Sequence, residues 1–567
     1  METAKIEFGS EAVNKNAQIL LSGIWYSELP DLLEIKDKLA NNIQTVLKKQ
    51  NETGYSTYKT EQDGFITDFK NVVSPKYLRS PGVEPIIYYT FKKNGALREM
   101  QIPNLIHHIG FIYNSLWIFG DLFEKIYLDN AYEEKIANSS SYLVLGEEFY
   151  IPVGYDDIEE IEEGIFVSTN NKIHGNVLME SKKRQFDEQA EAYLYSIKLD
   201  IESFFPNIYT HYFEKMAHKK LYSDFDEAKK YFEFLDTFHQ RINNNQTKGI
   251  PAGVFSAHIA AELLMLSVDD EIREKFKEDD MGYIRYVDDL TFFSDSKEKL
   301  EDINVEVQQI LNQYRLRING NKTQISQSIY NISLTDIGEI CFKLPFLQIS
   351  DEPNILSQEN IITLKKYIAE LMQKKEISQI KTVFSLFYKK LKEDKLKIEN
   401  VEKELLHILL LAVFEEKTIT WQVYRIIDWI FDKTKNKVEY QELLIKKLPV
   451  VNRIYRDSIL QIWHYYVLSK SMNQIEKKQF FKNNKQYLQN PILVTMFVEK
   501  GNHMNAHIMT YIKENFLKES NTTDWKKRIM YSRWWLPLMK IRMVDVHNYE
   551  NFLQTSMFPE VLADLMS

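Results

Sequence analysis

Cysteine is almost missing from this 567-residue chain, where Cys341 stands alone. One thiol excludes disulfides within the chain and any zinc site built on cysteines. Long apolar runs are lacking too; each is too short or too interrupted to cross a bilayer. The opening METAKIEFGSEAV has no charged-then-apolar signal pattern. A reducing cytoplasm with no membrane partner is the expected setting. Glycine is scarce in one region: after residue 350 only Gly501 occurs. Tight turns and hairpins lean on glycine, so that region is expected to be helical.

Apolar residues there recur at helical spacing, as in Ile361, Leu364, Ile368 and Leu371, and in Leu405, Ile408, Leu409 and Val413. Pro449, Pro491 and Pro537 read as punctuation between helices. No clean repeat is visible. The length calls for two or three domains. Net charge is −10, unusual for a protein that grips nucleic acid. It is unevenly spread: residues 351–567 carry 34 Lys and Arg against 26 Asp and Glu, or +8, leaving −18 for the rest. An acidic front half fits a long duplex poorly, whereas a basic helical half suits a single strand. The acidic run YDDIEEIEEG, residues 155–164, reads as a solvated face rather than a metal site.

Chemistry concentrates in GYIRYVDDLTFF. Tyr283 to Val287 reads as one strand and Leu290 to Phe293 as the next. The turn between them holds Asp288 and Asp289, since Asp tolerates turn geometry. Upstream, in YLYSIKLDIESFFPNIYTH, Tyr195, Ile197 and Leu199 alternate with Ser196, Lys198 and Asp200. That is the period of a half-buried strand, ending on Asp200. Pro206 predicts a helix from about Asn207. Asp200 either joins a cation site or caps that helix, and both readings stand at this point. Three clustered carboxylates require a cation or a raised pKa, and hard cations such as Mg²⁺ take oxygen ligands. In KGIPAGVFSAHIAAELLM, Gly249 and Gly253 bracket a stiff Pro251 ahead of a long apolar helix. Such a loop permits close approach to a base pair or sugar. Near the N-terminus, FKKNGALREMQIP places Asn94-Gly95 as a two-residue hairpin turn between strand-like runs.

The order of these pieces resembles a reverse transcriptase. Asp200, the GIPAG loop and YVDD resemble motifs A, B and C, and LRINGNKT resembles motif D. The FKKNGALREMQIP hairpin resembles the fingers hairpin of intron-type members. The likeness spans about residues 85 to 345. The run FFPNIYTH, with Asn207 where Ser is more familiar, is similar to that of bacterial abortive-infection (Abi) and related defence-associated reverse transcriptases. GIPAG with AELLM looks like theirs too.

The resemblance implies an α+β fold: a right-hand palm and fingers followed by an all-α, HEAT-like helical-repeat domain. The implied boundaries are 1–170 for the N-terminal and fingers region, 171–345 for the palm and 346–567 for the helical repeats. It implies a nucleotidyltransferase with a two-Mg²⁺ site on Asp200, Asp288 and Asp289. Lys322 would give a proton to the leaving pyrophosphate or stabilise its charge. Lys92 or Lys93, with Arg98, would hold the triphosphate of a dNTP. Phe205 matches the steric gate against a ribose 2′-hydroxyl, and Gly249, Pro251 and Gly253 complete the nucleotide site. The implied function is antiphage defence by a protein-primed, template-independent DNA polymerase. A tyrosine would start a single-stranded product that stays attached, with Tyr26, Tyr55 and Tyr58 as N-terminal candidates. A homo-oligomer, trimer or hexamer, is implied as well. Two alternatives stay open: a conventional RNA-templated enzyme with a partner RNA, and a non-catalytic scaffold.

Overall fold

A computed structural model describes residues 24–26, 28–32, 82–105, 107–108, 111–112, 115, 143–145, 148–150, 186–223, 228–277, 279–328, 337–348, 352–434, 437–499, 504–516 and 532–544. Tyr55, Tyr58 and the acidic run at 155–164 lie outside these residues.

The first strands, β1 (Ile86–Phe91) and β2 (Leu97–Ile102), form an antiparallel hairpin. Its loop is longer than the Asn94-Gly95 signal predicts. Lys92 N–H donates to the Ala96 carbonyl, and Gly95 N–H donates to that of Lys92. Gly95 then takes φ +78°, so the loop has three residues, with glycine supplying the left-handed position. A small second hairpin pairs β3 (Leu143–Leu145) with β4 (Glu148–Tyr150).

The palm is a four-stranded antiparallel sheet of β5 (Tyr195–Asp200), β6 (Gly282–Tyr286), β7 (Asp289–Ser294) and β8 (Gln324–Gln327), in the order β6-β7-β5-β8. The central strands β5 and β7 bury Ile197, Leu199, Leu290 and Phe292. Among the described residues four helices lie between β5 and β6: α1 (Phe204–Asn207), α2 (His211–Met216), α3 (Ala228–Ile242) and α4 (Phe255–Lys275). Helix α1 is one turn that ends at Asn207 rather than starting there. Pro206 falls in that first turn, where its missing N–H needs no partner, and the extended Ile208 stops the helix. The cap position belongs to Ser203, so Asp200 does not cap the helix. Helix α5 (Lys297–Gln313) buries Leu300, Ile303, Val307, Ile310 and Leu311, an apolar stripe at helical spacing that packs on the sheet. The short α6 (Ile337–Lys343) follows.

Beyond residue 350 helices dominate, as expected. They are α7 (Gln358–Lys374), α8 (Ile377–Lys392), α9 (Glu402–Glu415), α10 (Thr420–Lys433), α11 (Lys437–Ile454), α12 (Ile459–Ser471), α13 (Gln474–Asn484), α14 (Pro491–Thr495), α15 (Met504–Phe516) and α16 (Trp535–Val544). The region is not all-α. Strands β9 (Asn354–Leu356) and β10 (Leu396–Ile398) pair in parallel and bury Leu356 and Leu396. Scarce glycine disfavours hairpins, but parallel strands are joined through a crossover, here α7 and α8, and need no tight turn. This pair, and helices of very unequal length, set the region apart from a uniform repeat array.

Proline behaves unevenly as punctuation. Pro491 opens α14, and Pro537 sits in the first turn of α16. Pro449 lies inside α11. One helical hydrogen bond is lost there, and the buried Leu444, Leu448 and Val451 hold the helix on the core instead.

The helical region is fastened to the β1–β2 hairpin. Tyr89 N–H donates 2.9 Å to the Asp457 carbonyl, and Asn490 Nδ2 donates 2.8 Å to that of Ile87. The open edge of β1 is thereby covered. Phe91 meets Tyr455 edge-to-face. Trp463 Nε1 donates to the Glu28 carbonyl, which ties in the N-terminal segment.

His464 and His239, both fully buried, make this fold acid-sensitive. His464 Nε2–H donates to the Leu444 carbonyl, and its Nδ1 accepts from Tyr424 Oη at 2.7 Å, which fixes a neutral ring. Burial pushes His464 down to about 4 and His239 to about 3, from 6.5. The unfolded chain therefore takes up these protons first, so stability is complete above about pH 6.5 and falls as pH drops toward 4. Urea midpoints measured from pH 7.5 to 4.5 should decline over that window. His464→Gln should flatten the slope.

Candidate active site

Strand register brings the three carboxylates together. Asp200, the last residue of β5, lies opposite Asp289, the first residue of β7, and Asp288 occupies the adjoining turn. The Ile201 N–H reaches the Asp288 carbonyl at 3.4 Å. Burial comes first, and the charge of Asp289 second, in pushing the Asp288 carboxyl up to about 6. Asp200 adds to that push and Arg98 opposes it.

The turn differs from the expected one. Its two residues are Val287 and Asp288, not the aspartate pair. Val287 carries a φ of +56°. For a β-branched residue this left-handed backbone is an outlier that persists only where the surroundings enforce it. The enforcing group is Arg285, which is fully buried. Its Nη1 donates 3.1 Å to the Val287 carbonyl. The same guanidinium binds Glu262 at 2.7 and 2.9 Å and Asp269 at 2.8 to 3.0 Å. Both carboxylates come from α4, and Tyr283 Oη also donates to Asp269 at 2.6 Å. The long helix after GIPAG is thus bonded to the turn that carries Asp288. Nothing in the hydrophobic pattern pointed to this network. Charged residues inside the AELLM helix were the available signal.

Lysines stand beside the carboxylates. Lys322 Nζ lies 2.9 Å from both oxygens of Asp200, and Lys198 Nζ lies 3.1 Å from Asp289. The motif D loop reaches Asp200 because Asn319 N–H donates to the Asp200 carbonyl and Glu202 N–H to that of Arg317. Lys198 was not among the expected residues.

Phe205 is half-buried, edge-on to Phe204 and His258, and its carbonyl accepts from Ile250 N–H. The GIPAG loop is therefore tied to the segment that follows Asp200. Gly249 and Gly253 both take φ +90°. A methyl group at Gly253 would overlap the Tyr26 ring. Pro251 is buried, so the loop's glycines serve packing as well as any contact with substrate. Tyr26 itself is buried, and its hydroxyl donates to the Gln101 and Ala252 carbonyls. Burial raises its pKa far above the usual phenol value, which counts against Tyr26 as a priming nucleophile in this arrangement. Lys92, Lys93 and Arg98 line one cavity of 520 Å³ together with Lys322. The fingers cations and the motif D lysine therefore face a common space.

Residues 154–361 match the family model described as reverse transcriptase (RNA-dependent DNA polymerase). This part of the chain is similar to a reverse-transcriptase domain. The chain is also similar to the retron Ec83 reverse transcriptase of Escherichia coli, 26% identical over 147 residues. That alignment takes in 25% of this chain and 47% of the relative, so the chain spans about half the length of the curated relative it matches. Among solved structures, telomerase from Candida tropicalis bound to a fragment of telomeric RNA aligns at TM-score 0.29 and 11% identity, over 66% of each chain. The apo form aligns at TM-score 0.29 and 12% identity, over 78% of this chain and 77% of the other. Those similarities are too low to add to the family match. No helix among the described residues is long and apolar enough to cross a membrane.

Arg285→Ala should leave Glu262 and Asp269 as uncompensated buried charges and cost about 3–5 kcal/mol of unfolding free energy. Lys198→Ala removes an exposed partner and should cost ~1 kcal/mol or less. Urea denaturation of the two variants side by side checks the contrast.

Proposed function

We propose that this chain is a DNA polymerase of the reverse-transcriptase type, acting in antiphage defence by protein-primed synthesis without a template. The observation that carries the polymerase reading is the convergence of Asp200, Asp288 and Asp289 at the end of β5 and the β6–β7 turn. Three carboxylates this close, one with a raised pKa, form an oxygen-only donor set that suits hard divalent cations. Asp200, Asp288 and Asp289 would hold Mg²⁺ there. The bound ions would supply Lewis acidity to the attacking hydroxyl and to the leaving pyrophosphate.

The remaining roles fall to side chains around them. Lys322 sits at the carboxylates and would pass a proton to the pyrophosphate. Arg98 and Lys92 offer cations to the triphosphate from the fingers hairpin. Phe205, beside the GIPAG loop, would exclude a 2′-hydroxyl and so select dNTPs. The defence branch is supported by the FFPNIYTH run and by the helical region that follows the palm. A homo-oligomer in the cytoplasm belongs to the same reading.

A second reading has its own observation. Similarity to a retron reverse transcriptase favours an enzyme that copies RNA, working with a partner RNA. The two readings differ in what primes the product and what it needs. Purified protein incubated with Mg²⁺ and labelled dNTPs, without added primer or template, should yield label that travels with the protein until proteinase releases it. Asp288→Asn/Asp289→Asn should lower incorporation by at least about a hundredfold. Product that forms only when RNA is supplied, and runs free of protein, would establish the retron-like reading instead.

A further inference from the structure

The cavity in front of the fingers hairpin has a wall that the reverse-transcriptase domain does not provide. Its 520 Å³ are lined by Lys92, Lys93, Arg98 and Lys322 on one side, and by Lys381 of α8 and Lys417 beside α10 on the other. Glu28 is the one carboxylate among the lining residues, and burial raises its pKa. Of the six cations Lys322 is already held by Asp200, and the other five beside one carboxylate form an electrostatic trap for a compact polyanion. Burial comes first in lowering the Lys381 pKa; Glu28 and Glu416 oppose that shift, and Lys93 and Arg98 add to it.

An uncharged group points the same way. Thr418 also lines the cavity; it is only 8% exposed, and its Oγ1 has no hydrogen-bond partner. A buried hydroxyl left without a partner costs stability unless a ligand satisfies it. The two walls are held in place. Besides the Tyr89–Asp457 and Asn490–Ile87 hydrogen bonds, Lys93 Nζ reaches Ser378 Oγ of α8 at 3.5 Å.

We propose that the C-terminal helical region completes the polyphosphate site of the polymerase, with Lys381, Lys417 and Thr418 binding the β- and γ-phosphates of the incoming dNTP and the pyrophosphate that leaves. This rests on the polymerase reading above. Phosphate oxygens are strong acceptors, and lysine binds them as a point charge whose flexible stem tolerates both the triphosphate and the released product. Because it shares the cavity with the fingers cations and Lys322, this wall would meet the end of the nucleotide remote from the sugar.

The test uses the full-length protein and two probes. Calorimetry with inorganic tripolyphosphate reads the site without catalysis, and steady-state incorporation gives KM for dNTP and inhibition by pyrophosphate. Lys381→Ala/Lys417→Ala should weaken tripolyphosphate binding and raise KM about tenfold, with kcat within about twofold. Inhibition by pyrophosphate should weaken in parallel. Lys381→Arg/Lys417→Arg, which keeps both charges, should recover most of the binding and guards against a folding defect. Unchanged tripolyphosphate binding and unchanged KM in the alanine variant would overturn the proposal. So would a loss confined to oligonucleotide binding, which would assign the lysines to a strand backbone. Tripolyphosphate binding that depends on both lysines, in a protein that incorporates no dNTP, would support the site and sink the polymerase reading.

Discussion

The turn that carries Asp288 depends on one buried cation. Arg285 sits with no exposed surface between two carboxylates of α4 and the carbonyl of Val287. Removing three charges from water is costly, and their mutual attraction repays that cost only with near-ideal geometry. Here the guanidinium fork meets Glu262 through Nη1 and Nη2 and Asp269 through Nε and the shared Nη2, so the geometry is specific rather than merely attractive. Such a network contributes position more than net stability. It fixes the β6–β7 hairpin against α4, and α4 begins directly after the GIPAG loop. The loop is in turn bonded to Phe205 and Ile208, just past Asp200. Backbone and hydrogen bonds thus link the end of β5 to the β6–β7 hairpin through α4.

The strained Val287 gains a physical reason within this frame. A turn residue at φ +56° would relax if its carbonyl were free. Arg285 binds that carbonyl, and the Val287 side chain packs against the core from the other side. Strain held this way keeps Asp288 at the tip, facing Asp200 and Asp289, although three carboxylates repel one another. Lys322 and Lys198 offset part of that repulsion from the solvent side. The division of labour is plain: a buried network sets geometry, and exposed lysines moderate charge.

The sequence made the palm legible because its strands alternate and its carboxylates end them. Strand register and one ion pair bring Asp200, Asp288, Asp289 and Lys322 together. Turn detail was harder to read. Asn94-Gly95 suggested a two-residue loop, yet glycine also serves the three-residue form, and only the Lys92–Ala96 hydrogen bond decides between them. The β9–β10 pair was hidden because each strand is three residues long and makes no hairpin. Pro449 misled because tertiary packing along α11 outweighs one lost hydrogen bond. The Arg285 network was invisible because its partners lie 16 and 23 residues away, on a helix whose register with the hairpin is a property of the fold.

Charge shows most clearly where composition stops being informative. The surplus of +8 after residue 350 suggested a broadly basic surface for a single strand. Many of those cations are already engaged: Lys470 with Asp428 and Asp432, Lys477 with Glu499, Lys403 with Glu439, and Lys374 with Glu370. A lysine held by a carboxylate contributes little field at a distance. Lys381 and Lys417 are different, because both line the cavity shared with the fingers hairpin and neither has a carboxylate within ion-pair distance among the described residues. Net charge of a region is thus a poor guide to what it binds. Which cations lack a carboxylate partner, and which space they share, is the property that selects a ligand. Here Lys322, which lines that space, is also the residue paired with Asp200.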